Sequence, residues 1–101
     1  MQLVLQAQIA PPQPWIDPIN DPLDCRSIAN IEVQVSGVPS TGYAPVRSLD
    51  GKTYFPCLVF DTRYNDTTAI TAEGIYSVPG GGFLKFSAGA GSTVTVRGSN
   101  T

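Results

Sequence analysis

The chain has 101 residues, a net charge of −2 and only 14% charged residues. That length suits one domain with a single hydrophobic core, and a hydrophobic fraction of 42% is enough to fill it. Histidine is absent and cysteine occurs twice, which removes the commonest general base and leaves too few thiolates for a zinc site. The basic residues are scattered singly, so we expect no nucleic-acid-binding face.

The first ten residues predict a strand. The odd positions Leu3, Leu5, Ala7 and Ile9 are apolar and most even positions carry Gln, which is the period of a half-buried strand. The strand is either the first of the domain or an arm that adds to a neighbouring subunit. This stretch lacks a basic n-region, and no apolar run approaches the roughly 20 residues of a membrane span. We therefore expect a protein made in the cytoplasm, with no membrane partner.

The next segment is rich in proline. Five prolines lie between Pro11 and Leu23, and proline fixes φ and lacks an N–H donor, so we expect extended, non-sheet backbone. Its apolar side chains indicate a strap laid across a surface of its own domain or of a partner. Trp15 is either a core plug or an anchor on a partner. The residues predicted to contact partners are Leu3, Leu5, Ile9, Trp15, Ile16 and Ile19.

The middle of the chain predicts a strand followed by a hairpin. Residues 28–38 alternate apolar and polar side chains, so one face of that strand is buried. Asp50-Gly51 is a strong turn signal between the apolar runs 43–47 and 54–60. Pro45 and Pro56 lie inside those runs, which favours a sheet edge or a bulge.

The remaining residues predict further short strands. A polar loop over 61–68 precedes a strand, turn and strand over 67–78, and a glycine-rich turn at 79–82 precedes strands over 83–87 and 92–97. No stretch has a helical period. We predict an all-β fold: a single antiparallel β-sandwich or jelly-roll-like domain over residues 28–101, with an extended Pro-rich N-terminal arm over residues 1–27.

Few residues suggest chemistry. Most carboxylates fall in predicted turns, where Asp caps backbone N–H groups, and the loop with Asp61, Asn65 and Asp66 lacks the spacing of a calcium-binding EF-hand. We therefore expect no enzyme, no metal and no cofactor. Cys25 and Cys57 are more often buried free thiols than a disulfide in this context. Five aromatic residues either fill the core or line a glycan-binding face: Tyr43, Tyr54, Phe55, Tyr64 and Tyr76.

Three motifs resemble one group of proteins. Ser48–Tyr54, with its Asp-Gly turn, is followed by Ile70–Val78, which contains Thr71, Gly74 and Tyr76, and by the closing run Gly91–Ser99. Together they are similar to small β-sandwich proteins of tailed-bacteriophage virions, over roughly residues 28–101. The chain departs from that pattern at Tyr54, where Trp is frequent, and in its shortened region at 80–82.

The resemblance implies a non-enzymatic structural protein of the virion, with no catalytic residues to transfer. The leading expectation is a capsid decoration or cement protein that binds the capsid surface through its N-terminal arm. The alternatives are a ring component of the neck, collar, tail or baseplate, and a carbohydrate-binding module for host attachment. The expected partners are the major capsid protein or neck and tail proteins, together with further copies of the chain.

Overall fold

A computed structural model describes residues 3–4, 9–61 and 65–99. Eleven strands form within them, and no helix in these ranges is long and apolar enough to cross a membrane. The strands are β1 (Leu3–Val4), β2 (Ile9–Pro14), β3 (Leu23–Asp24), β4 (Asn30–Ser36), β5 (Pro45–Ser48), β6 (Phe55–Pro56), β7 (Val59–Phe60), β8 (Asp66–Thr67), β9 (Gly74–Pro79), β10 (Phe83–Phe86) and β11 (Thr93–Ser99).

The strands form two sheets. The first has the order β1-β3-β10-β5-β6 and the second has the order β2-β11-β4-β9-β7-β8. All described pairs are antiparallel except β1 with β3, which are parallel. The prediction of an all-β, largely antiparallel domain is confirmed.

Both sheets contribute to one hydrophobic core. In β4 the buried residues Ile31, Val33 and Val35 alternate with more exposed polar ones, as the sequence predicted. The first sheet adds Leu84 and Phe86 from β10, each at most 1% exposed. Because side chains of one strand alternate between faces, the residues between the buried positions of β4 lie on its outer face.

The N-terminal segment belongs to both sheets. β2 pairs with β11 and β1 pairs with β3, so the described part of this segment forms the first strands of the domain. The prediction of non-sheet backbone is wrong for Pro11–Pro14, which lies in β2. The physical reason is that β2 is an edge strand, and its outer side needs no N–H donors.

The central hairpin lies at a sheet edge, as its prolines predicted. β5 pairs with β6, the last strand of the first sheet, and Gly51 in the turn has φ of +77°. The apolar run 54–60 is not one strand, because β7 pairs in the second sheet with β8 and β9. The Cys57 N–H continues this pairing by donating to the Pro45 carbonyl at 3.2 Å. Pro45 has no N–H to donate in return, and the chain then crosses to the other sheet.

The predicted strand over 67–72 is also wrong. β8 ends at Thr67, and the following residues make only a single bridge, in which Ile70 pairs with Tyr43. Ile70 is fully buried there, and its N–H donates to the Tyr43 carbonyl at 2.8 Å. One apolar residue among polar neighbours therefore closes the core without forming a longer strand.

Candidate interaction surface

The predicted partner-binding residues have different environments. Trp15 is only 2% exposed, its ring centroid lies 5.3 Å from that of Phe86, and its indole Nε1 donates to the Asp21 carbonyl at 2.9 Å. Ile19 packs against the core. Trp15 is therefore a core residue rather than an anchor on a partner, and it presents no surface to a partner in this structure.

Ile16 is the projecting residue of the segment. Its side chain is 86% exposed, the largest value among the exposed large hydrophobic residues described. Leu3 and Ile9 lie in the edge strands β1 and β2, and Leu5 lies outside the described residues. Asp17, beside Ile16, is also exposed, and its Oδ1 accepts from the backbone N–H of Asn20 at 3.2 Å. We call Ile16 and Asp17 the knob.

A second apolar surface lies at the far ends of both sheets. β6 and β7 are joined by two residues, so the β6 edge of one sheet adjoins the β7–β8 edge of the other. Among the residues whose exposure the structure describes, four of the seven exposed large hydrophobic ones lie between positions 49 and 60: Leu49, Phe55, Leu58 and Phe60. Leu49 and Phe55 are 73% and 65% exposed. Sequence reasoning assigned this run to a hairpin and did not predict an apolar surface.

A groove of about 360 Å³ opens on this side. We call it the flank groove; its lining includes Arg47, Leu49, Phe55, Pro56 and Cys57. Arg47 is paired in register with the buried Leu84 and with Phe55, so its side chain leaves β5 on the core side of the sheet. The apolar walls and the Arg47 cation therefore come from the β5–β6 hairpin, and the Asp50 carboxylate of its turn also lines the groove.

The charge of Arg47 has little compensation. Its Nη2 donates to the Gly80 carbonyl at 2.6 Å, while its Nε is buried without an acceptor. No carboxylate among the described residues forms an ion pair with it. A half-buried cation without a counter-ion is costly, so this groove favours an occupant that carries negative charge.

The two cysteines are free thiols, as the sequence favoured. Cys25 follows β3 and Cys57 follows β6, and two strands lie between these in the sheet. Three strand spacings are about 14 Å, beyond the roughly 7 Å limit for a disulfide. Burial raises the pKa of both thiols, against the opposing charge of Arg47, so neither is an activated nucleophile.

The Asp50 carboxylate organises the turn beside the groove. Its Oδ1 accepts from the N–H groups of Thr53 at 2.9 Å and Lys52 at 2.8 Å, and from the Ser48 hydroxyl at 2.8 Å. These bonds, the one from Thr53 foremost, lower its pKa from 3.8 to about 2. The folded state thus favours the ionised form of this exposed side chain.

We expect Asp50→Asn to destabilise the protein at neutral pH but not in strong acid. A depressed folded pKa gives stability that is present above the unfolded pKa of 3.8 and is lost as the pH falls through about 2. Urea unfolding should therefore show the wild type more stable at pH 7, with a gap that narrows between those two pKa values. A stability difference between the two proteins that is the same at all pH values would contradict the role given to the ionised Asp50 carboxylate.

The other candidate sites receive no geometric support. Tyr43 and Tyr76 are buried, and Tyr54 packs under the Lys85 ammonium, 4.6 Å from its ring centroid. Tyr64 lies outside the described residues. The tyrosines that the structure describes therefore form no exposed platform for a sugar ring. In the same residues no three potential metal-ligating side chains come together, and Asp61 instead caps the N–H of Asn65 at 2.9 Å.

Comparison with known proteins gives no match to any protein-family model, curated protein or solved structure.

Proposed function

We propose that this chain is a non-enzymatic structural protein of a tailed-phage virion, a capsid decoration or cement protein that contacts its neighbours through its N-terminal segment. The proposal starts from the sequence resemblance of residues 48–54, 70–78 and 91–99. The observation that supports it most is the difference in burial between the adjacent residues Trp15 and Ile16. Trp15 holds the segment to its own core, and Ile16 projects an apolar side chain into solvent, where it is accessible to a neighbouring subunit.

This arrangement suits a protein that binds in many copies to the regular surface of a capsid. The N-terminal segment supplies the terminal strand of each sheet, so its outer backbone groups are available for a strand of a neighbour to pair with β1. The prolines of β2 protect the other sheet from such pairing. A jelly-roll-like sandwich with this segment as its arm is the finer fold that we propose. Many identical copies on a capsid would multiply a weak contact through avidity.

A ring component of the neck, collar, tail or baseplate is the second candidate. Projecting apolar groups at one side and an apolar groove at the other are what subunits of a ring need, because a head-to-tail contact closes when its rotation allows. The two candidates differ only in the part of the virion that binds the protein.

The test is to incubate the labelled full-length chain with heads, necks and tails purified separately from the corresponding virion. We expect co-sedimentation with the heads. We also expect Ile16→Asp to lower that binding at least tenfold, because a charge replaces the exposed apolar contact, about 1.4 kcal/mol or more. Cryo-electron microscopy of the same samples would locate the bound copies.

Val38→Asp is the matched control, since Val38 is also an exposed apolar residue, at 69%. We expect this variant to bind as the wild type does. Binding only to necks or tails would select the ring component. Absence of binding to any part of the virion would overturn the proposal.

A further inference from the structure

We propose that the knob of one copy inserts into the flank groove of a second copy, so that the protein self-associates head to tail. This deepens the proposed function, on which it rests, by naming the neighbour that Ile16 contacts. The shape and chemistry of two surfaces of the chain support it.

The groove offers an apolar slot with a cationic floor. Leu49 and Phe55 are more than half exposed and line the same groove, and exposed apolar side chains grouped in this way are typical of interaction sites. Arg47 lies opposite Phe55 on the core side of β5, with one carbonyl acceptor and no carboxylate ion pair among the described residues. The turn adds the exposed Lys52 and the Asp50 carboxylate, which also lines the groove, so the positive charges of Arg47 and Lys52 exceed the negative charge of Asp50 by one.

The knob has the complementary composition. Ile16 is the most exposed of the large hydrophobic residues described, and the exposed Asp17 places a carboxylate directly beside it. The nearest basic residue in the sequence, Arg26, is engaged with Asp24 at 2.8 Å. The knob thus exposes an apolar side chain with a carboxylate beside it, and the hairpin exposes an apolar slot with a net positive charge.

The two surfaces are different, so the contact is heterologous. The knob follows β2, a terminal strand of the second sheet, whereas the groove lies on the β5–β6 hairpin, at the opposite end of the first sheet's order. After one contact, one copy keeps its groove available and the other keeps its knob, so further copies can add at both ends of the pair. Such a contact generates rings or filaments rather than only twofold dimers.

The experiment measures the solution mass of the full-length chain by sedimentation velocity from about 1 µM to about 1 mM, the range of weak to moderate contacts. We expect the wild type to form oligomers larger than dimers within this range. Ile16→Asp and Leu49→Asp, which damage the knob and the groove, should each require at least a tenfold higher concentration to associate.

Mixing these two variants gives the decisive result. Each retains one intact surface, so an equimolar mixture should form a heterodimer and nothing larger. A variant that still self-associates as the wild type does would overturn the pairing of knob with groove. Asp17→Lys should also weaken association tenfold, because it places a cation opposite Arg47, while Val38→Asp should leave it unchanged. Circular dichroism of every variant establishes that the fold is retained.

Self-association and binding to phage heads can be tested separately. A wild type that stays monomeric to about 1 mM overturns knob-in-groove association, whether or not the chain binds heads. Binding of Leu49→Asp to phage heads tests the virion contact without an intact groove, because that variant keeps the N-terminal segment unchanged.

Discussion

Trp15→Ala should destabilise the protein by about 3–5 kcal/mol, the usual cost of truncating a large buried aromatic residue. Trp15 is 2% exposed, contacts Phe86 and donates a hydrogen bond to the Asp21 carbonyl, so its loss leaves a cavity and removes that bond. Because a domain of this size has a total stability of about 5–15 kcal/mol, a large part of it would be lost. Urea unfolding followed by circular dichroism measures the effect without the Trp fluorescence that the variant lacks.

The neighbouring Ile16→Ala is the matched control. Ile16 is 86% exposed, and we expect a change in unfolding free energy within about 0.5 kcal/mol. The two substitutions therefore separate a fold effect from an association effect at adjacent positions. A Trp15→Ala protein as stable as the wild type would mean that the strap is not packed on its own core.

This pair also explains why deleting the residues before Asp24 is a poor test of the arm. The deletion would remove Trp15 and Leu23 from the core and the strands β1 and β2 from the two sheets. Loss of assembly would then report loss of folding. Point changes at exposed positions of the segment avoid that confusion.

The sequence predicts strands well where one face is buried. The alternation in β4 and the turn at Asp50-Gly51 both lead to the observed structure, because side-chain period and turn chemistry are local properties. The sequence predicts poorly which sheet a strand joins. The run 54–60 has one continuous apolar pattern, yet it contributes to two sheets, since Pro45 cannot return the hydrogen bond of Cys57 and tertiary contacts decide the rest.

The candidate surface is only partly visible in the sequence. Ile16 was predicted as a partner contact, but the same reasoning included Trp15, because the exposure of a side chain in a proline-rich segment depends on how the segment packs. The flank groove needs residues 47–57 to be brought together around one hairpin. The only indication of the groove in the sequence is Arg47 within an apolar strand pattern, and the pattern does not show which residues surround that side chain.

The glycine run at 80–82 gives the second large effect that we expect. The sequence predicts a glycine-rich turn here, and in the structure each glycine meets a different steric requirement. Gly81 has φ of +87°, whereas Gly80 and Gly82 lie so close to backbone that an added Cβ would overlap the carbonyls of Ile28 and Ser48. Gly80 is also buried, and its N–H donates to the Ala29 carbonyl at 2.7 Å.

We therefore expect Gly80→Ala to destabilise the protein by about 3 kcal/mol or more, because the clash is with the backbone of Ile28, whose carbonyl accepts from the Gly81 N–H at 2.9 Å. Gly37→Ala is the control, since Gly37 has φ of +88° with no atom within 4 Å of an added Cβ, and it should cost only about 1 kcal/mol of backbone strain. Urea unfolding of both variants separates steric overlap from strain. Equal costs at the two positions would show that the close approach of the 79–82 turn to Ile28 does not contribute to stability, and that the two sheets are joined less tightly at this end.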